Sequence, residues 1–320
     1  MSYLIDLTSS QDSEECDIGG VLWDFGNDVL DDSDSSITFG LQEYIETYFT
    51  NSSSKIVHLL ATSPILFIQQ TGHRCGYVNL QILLRCLLEL PYYKSKIMSI
   101  PSIKKIQTII EEAWSLGWDP TSCDHFNSSL VGTHSWIGAT DVTTFLNYIN
   151  IDARVKDFGN AAYNNGIRQS IFEVREDIIN WIERYFRMYE LKWSEFLVNN
   201  NQYFGRFIPP LYLQYMGHSV TIVGISEKGL SHEDTYIHIF DPTQTGAVLR
   251  EAAVSAANRN DNNFNYAPFD LPNIAHSCRS FFQYAQYQIV YIHPGILLGE
   301  DYQAAKRGRN FDMNESLHIY

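Results

Sequence analysis

Apolar residues recur at helical spacing in several stretches of the chain, and punctuating residues mark where each stops. Between Pro101-Ser102 and Gly117, residues Ile103, Ile106, Ile109, Ile110, Ala113 and Trp114 fall on one face. Val142, Phe145, Leu146 and Ile149 repeat the pattern and predict a helix over about 140–150. Residues 171–198 predict a long helix ended by Pro209-Pro210. Its aromatics (Trp181, Tyr185, Phe186, Tyr189, Trp193 and Phe196) have the spacing of core residues rather than of a binding stripe. Leu80, Leu83, Leu84, Leu87 and Leu88 predict another helix, which opens near Cys75. From Leu41 to Leu60 the pattern is helical and then apolar. Short apolar runs at 153–158, 219–225, 235–240 and 287–293 predict strands, and the Asn-, Asp- and Pro-rich stretch 255–273 predicts a loop. With helices first and strands later, the expected class is α+β, helices packed on a central, mostly antiparallel sheet.

Composition bounds the domain organisation. The chain has 320 residues, 45% of them hydrophobic and 18% charged, enough to bury a full core. Its net charge is −15, and no Lys or Arg precedes Lys55. Residues 1–36, rich in Asp and Ser, read as a largely disordered acidic arm, 37–299 as the folded domain and 300–320 as a loosely held polar tail. No apolar run reaches spanning length and no basic flank opens the chain, so neither a membrane helix nor a signal peptide is expected. The acidity argues against a nucleic-acid partner and favours basic ones, such as a peptide tail carrying arginines. Five cysteines, an odd number with no Cys-x-x-Cys pair, argue against a disulfide framework and a zinc site. They suit the cytoplasm or nucleus, and no metal or cofactor is expected.

The run His73-Arg74-Cys75-Gly76-Tyr77-Val78-Asn79 places Cys75 at the first turn of an apolar helix, between Gly72 and Gly76. The positive end of a helix dipole favours thiolate, so Cys75 is a candidate nucleophile. The alternative is a small buried hydrophobe. A nucleophilic cysteine needs a base and the base an orienting group. If the runs 219–225 and 235–240 form a hairpin, His218 at the start of one meets Asp241 at the end of the other, and the apolar residues between them pack on the Cys75 helix. The alternative is a satisfied strand-end histidine and a turn-forming aspartate before Pro242.

Several separated motifs then occur in one order: Cys75-Gly76-Tyr77 with Asn79 and Gln81, Trp136-Ile137-Gly138-Ala139-Thr140-Asp141, Pro210-Leu211-Tyr212-Leu213-Gln214, Gly217-His218-Ser219, Thr221 to Ile225, and Asp241-Pro242. In this the chain resembles the ZUFSP-type deubiquitinases, relatives of the proteases for the ubiquitin-fold modifier, over roughly residues 60–295. The resemblance implies a papain-like cysteine peptidase fold, with Cys75 as nucleophile, His218 as general base and Asp241 as orienting acid. The ubiquitin-fold-modifier proteases typically carry Asp-Pro-His and use that histidine. This chain reads Asp241-Pro242-Thr243, which leaves His218 and points to ubiquitin. The chain departs from the pattern in two ways. Val78 stands where the family usually has arginine, and His73-Arg74 where Trp or Gly is usual.

Gln69 and Gln70 lie just upstream of Cys75, where papain-like enzymes place a glutamine; Gln69 is the candidate oxyanion donor, with a surface glutamine as the alternative. Asp119 and Asp141 are candidate partners for the arginines of the ubiquitin tail, with a helix first-turn acid as the alternative for Asp141. In the arm, Leu4, Ile5 and Leu7, followed by serines and acids, resemble a SUMO-interacting motif that adds a strand to SUMO's sheet. The expected function is a cysteine isopeptidase acting on ubiquitin and polyubiquitin chains. The alternatives are a protease for another ubiquitin-like modifier and a non-catalytic ubiquitin- or SUMO-binding adaptor on the same fold.

Overall fold

The structure, a computed structural model, describes residues 22–31, 33–51, 56–61, 65–159, 169–200, 206–228, 234–258, 271–297 and 299–306. The elements run β1 (Ile37–Thr38), α1 (Leu41–Asn51), β2 (Ile56–Leu60), β3 (Phe67–Ile68), α2 (Cys75–Leu87), α3 (Pro91–Lys94), α4 (Ile103–Ser115), α5 (Pro120–His125) and α6 (Ala139–Tyr148). They continue with β4 (Ile151–Gly159), α7 (Ile171–Asn199), β5 (Leu211–Tyr215), β6 (His218–Lys228), β7 (Thr235–Phe240), α8 (Gly246–Ala257), β8 (Ala275–Ser277), α9 (Cys278–Phe281), β9 (Gln286–Ile296) and α10 (Gly299–Lys306).

One sheet organises the fold. Its strand order is β4-β9-β5-β6-β7-β8, with β2 also paired to β6. Every pairing in it is antiparallel. The expected α+β, papain-like layout is met: a central helix carries the cysteine at its N-terminus and packs on this sheet.

That helix, α2, is apolar on nearly all sides, and all its residues except Arg85 are buried. A helix of that kind belongs between layers rather than on a surface. It lies between the sheet and α4 and α6. Burying Leu80, Leu83, Leu84 and Leu87 stabilises its placement by about 1.5–3 kcal/mol per side chain. Ser102 caps α4 through the Lys105 N–H, and Ser170 and Glu173 form a reciprocal cap on α7. The aromatics of α7 are core residues as expected: Tyr185, Phe186, Tyr189 and Trp193 are buried.

Strands β5 and β8 are not among those expected, and the domain ends and loop differ from expectation at three further places. Residues 22–36, assigned by composition to the arm, pack on the body where described. Trp23 and Phe25 are buried, and Trp23 N–H donates to Lys96 O at 2.7 Å. Of the acids described there, Asp24, Asp31 and Asp34 are exposed, while the two aromatics are buried. Residues 246–257 form α8, which packs on α1 through small side chains. It takes in the first residues of the loop expected over 255–273. The start of the polar tail forms α10, and Tyr302 meets Trp118 edge-on at 5.0 Å. Leu4, Ile5 and Leu7 lie outside the described residues.

Candidate active site

The hairpin of β6 and β7 brings the two distant polar residues together. Its register pairs Thr221 with Phe240 and Ile222 with Ile239, then shifts between Ile222 and Gly224. Extending the first register past Phe240 carries Asp241 alongside the start of β6. There His218 Nε2 lies 3.0 Å from Asp241 Oδ1. The same carboxylate oxygen accepts from the Thr243 N–H at 2.9 Å and the Thr243 hydroxyl at 2.8 Å. Thr243, noted in the sequence only as an absent histidine, is thus the residue that locks the acid in place.

Cys75 opens α2, and no side chain caps that helix. The first amide with an intrahelical acceptor is Val78, bonded to Arg74 O, so the Cys75, Gly76 and Tyr77 N–H groups stay available to an anion. Gly76 is required here by close approach: a Cβ on it would lie 2.5 Å from Ile137 O. The Trp136-Ile137-Gly138 backbone therefore presses on the first turn of α2. Gly72, at φ +68°, takes the left-handed turn that feeds the helix.

Asn79 ties the helix to the sheet. Its Nδ2 donates to Cys75 O at 2.9 Å and to Ser219 O at 3.0 Å, and its Oδ1 accepts from the Thr221 hydroxyl. The expected packing of apolar β6 residues on α2 is therefore supplemented, at the thiol end, by a buried polar bridge. A bridge is more directional than apolar contact, and it fixes where the thiol sits relative to His218. Asn79→Ala is expected to leave Ser219 and Thr221 short of a partner and to cost about 1–3 kcal/mol of stability. Displacing the thiol by about 1 Å should lower kcat by about 10²-fold. Thermal unfolding and single-turnover rates on the purified variant measure the two effects separately.

The electrostatics follow from these contacts. Burial pushes the Cys75 thiol up, but hydrogen bonds to His218 and Ser219 and the charge of His218 outweigh it, so its pKa falls below the ordinary 9.0. Burial pushes the His218 imidazole down, but Asp241 and Cys75 overcome this and raise it to about 9. Asp241 is held below the usual carboxylate range, its burial offset by His218 and Thr243. Burial drives the thiols of Cys86 and Cys278 upward instead. The arrangement can hold a thiolate beside an imidazolium, with a carboxylate orienting the ring through Nε2 and leaving Nδ1 for sulfur.

The remaining candidates fall elsewhere. Asp119 and Asp141 are buried and engaged within the fold. Asp119 caps α5 through the Ser122 N–H and accepts from the Thr144 hydroxyl. Asp141 accepts the Gly138 N–H at the start of α6, and burial pushes its carboxyl up to about 6. Asp141 Oδ1 has no hydrogen-bond partner among the described residues, but both carboxylates are buried away from a docking arginine. The first-turn role is the one observed for Asp141. Gln69 and Gln70 diverge: the Gln69 N–H bonds to Ser36 O, whereas the Gln70 N–H bonds to Pro242 O beside Asp241. At the rim, the half-exposed Trp136 indole lies 5.2 Å from the His73 ring and rests on Gly217. Met216, on the same turn, is 75% exposed.

The model of peptidase family C78 matches residues 41–290. Among curated proteins, zinc finger-containing ubiquitin peptidase 1 of Bos taurus is 33% identical over 217 residues, covering 66% of this chain and 35% of that protein. The Homo sapiens protein of the same name is 33% identical over 203 residues, covering 62% and 33%. The chain thus spans about a third of the length of the curated relatives it matches. A crystal structure of UfSP from C. elegans aligns over 83% of this chain and 39% of that one, at 15% identity and a TM-score of 0.45.

Proposed function

The chain belongs to peptidase family C78, and on that footing we propose that it is a thiol isopeptidase that cleaves after the C-terminal Gly-Gly of ubiquitin. The observation that carries this reading is the continuous line of Cys75, His218 and Asp241, completed by Thr243 where the other branch of the resemblance has a catalytic histidine.

In this reading the Cys75 thiolate attacks the carbonyl carbon of the terminal glycine, forming the C–S bond. The developing oxyanion meets the uncapped N–H groups of α2 and a glutamine side chain. The His218 imidazolium gives its proton to the departing lysine amine as the C–N bond breaks. Neutral His218 then takes a proton from water, and the hydroxide displaces the thiolate, leaving a ubiquitin carboxylate. Gln69 is the proposed side-chain donor. Gln69→Ala should then lower kcat by about 10²–10³-fold, and a larger loss in Gln70→Ala would transfer the role to Gln70.

The choice of modifier is tested by incubating the purified protein side by side with ubiquitin chains and with a fusion of the ubiquitin-fold modifier. Cleavage of ubiquitin chains alone is expected; efficient processing of the other fusion would move the protein to the neighbouring branch. SUMO, held through Leu4, Ile5 and Leu7, is proposed as a second partner. A labelled Tyr3–Glu15 peptide should shift its NMR signals on titration with SUMO, and unchanged spectra at millimolar SUMO would remove this partner.

A further inference from the structure

The β5–β6 turn sets one aromatic ring against the His218 imidazole. Met216 at φ +42° and Gly217 at φ +73° both take the left-handed conformation of a two-residue hairpin turn. Tyr215 and His218 are therefore the closing pair of the hairpin, directly opposite in register. Directly opposed side chains share one face of a sheet. Their ring centroids lie 5.7 Å apart, with the planes at 80°. Tyr215 is itself held by rings of α9 and of the chain that enters β9. Tyr284 stacks on it at 5.6 Å and 24°, Phe281 meets it edge-on at 5.5 Å, and Tyr287 lies tilted at 5.9 Å.

The imidazole needs such a support. The bond from Nε2 to Asp241 Oδ1 anchors one end of the ring, and rotation about it carries Nδ1 away from sulfur. The His218 side chain is 25% exposed, so water competes with Cys75 for that nitrogen. A neighbouring ring that is itself fixed on several sides removes this freedom. An aromatic face also carries partial negative charge and favours a cation within about 6 Å of its centroid. Burial and the neighbouring Asp241, Tyr284, Tyr287 and Cys75 push the Tyr215 phenol up, so its ring stays neutral while His218, between Asp241 and Cys75, carries charge. The contacts that place Tyr215 against His218 and the three aromatics are ring contacts, which a phenylalanine would also make.

We propose that Tyr215 is a positioning residue that holds the His218 imidazole turned toward Cys75. Resting on the Cys75–His218 pairing proposed above, this role is testable without ubiquitin. The full chain is treated with iodoacetamide across a range of pH, and alkylation of Cys75 is quantified by mass spectrometry after digestion. In the wild type, alkylation should persist at pH values below the ordinary thiol range, because the imidazolium holds the thiolate. Tyr215→Ala frees the imidazole, and the acid limb of alkylation should move to higher pH by at least about 1 unit. Tyr215→Phe keeps the ring and should keep the wild-type limb. Thermal melts check that each variant folds. Tyr284→Ala removes the 39% exposed ring stacked on Tyr215 and should move the limb the same way by less; it takes the place of Tyr215→Ala if that variant does not fold. An unmoved limb in folded Tyr215→Ala, or in Tyr284→Ala standing in for it, would overturn the proposal. So would a Tyr215→Phe limb displaced as far as that of Tyr215→Ala. A wild-type Cys75 with an ordinary thiol limb would overturn the pairing itself, and this role with it.

Discussion

Cys75→Ala is expected to abolish isopeptide cleavage while leaving the fold intact. The thiol lies at the start of α2, yet the helix is held by leucines deeper in the core and by Asn79, none of which depends on sulfur. Losing one buried sulfur should cost about 1 kcal/mol. Losing the nucleophile removes the step on which all others depend, so the rate should fall by at least about 10⁴-fold. Turnover of a ubiquitin substrate and a thermal melt on the same preparation measure both. Cys86, Cys123 and Cys278, changed singly to Ala, should keep turnover. The buried thiols of Cys86 and Cys278 are pushed toward the neutral, unreactive form, and Cys123 lies beside Ser128, away from the His218–Asp241 pair. Substantial hydrolysis by a folded Cys75→Ala protein would falsify the assignment.

His218→Ala should cost nearly as much, and the double variant little more than either alone, because residues acting as a unit are not additive. The pH profile follows from the same geometry. The thiol is lowered and the imidazole raised to about 9, so the thiolate–imidazolium pair occupies the interval between. As pH rises through about 9 the imidazolium loses its proton and kcat/KM should fall. On the acid side the thiolate takes up a proton and kcat/KM should fall again. Both limbs belong to the coupled pair. Asp241→Asn removes the larger of the two influences that raise His218, leaving Cys75 alone against the burial that lowers it, so the alkaline limb should move to lower pH. The maximum should drop by about 10²–10⁴-fold. An alkaline limb that stays in place in Asp241→Asn would show that the carboxylate does not tune the imidazole.

How much of this was legible in the sequence depended on whether the signal was local. Helices α2, α4, α6 and α7 carried it in their apolar spacing. The His218–Asp241 meeting followed from the antiparallel rule, since the outer ends of a hairpin's strands are neighbours. The register shift near Val223 left no mark, because any β-branched residue in that run fits a strand. Asn79 lay inside a recognised motif, but its partners Ser219 and Thr221 are 140 and 142 residues away in sequence, so its bridging role could not be read. Asp119 and Asp141 show why a carboxylate near a motif is a weak signal: sequence gives the charge, while burial and a waiting helix N–H decide its use. The Ala-rich α8 lacked a strong apolar stripe, and Trp23 and Phe25 were masked by the acids around them.

The most direct test of the central claim is covalent capture. Ubiquitin bearing an electrophile at its C-terminus is incubated with the full chain near neutral pH, and the product is digested and mapped by mass spectrometry. The expected result is one ubiquitin per chain, attached at Cys75, absent from Cys75→Ala and slowed in His218→Ala. An adduct at another cysteine, or no adduct from a folded wild-type chain, would contradict the claim that Cys75 and His218 form a ubiquitin-directed catalytic pair.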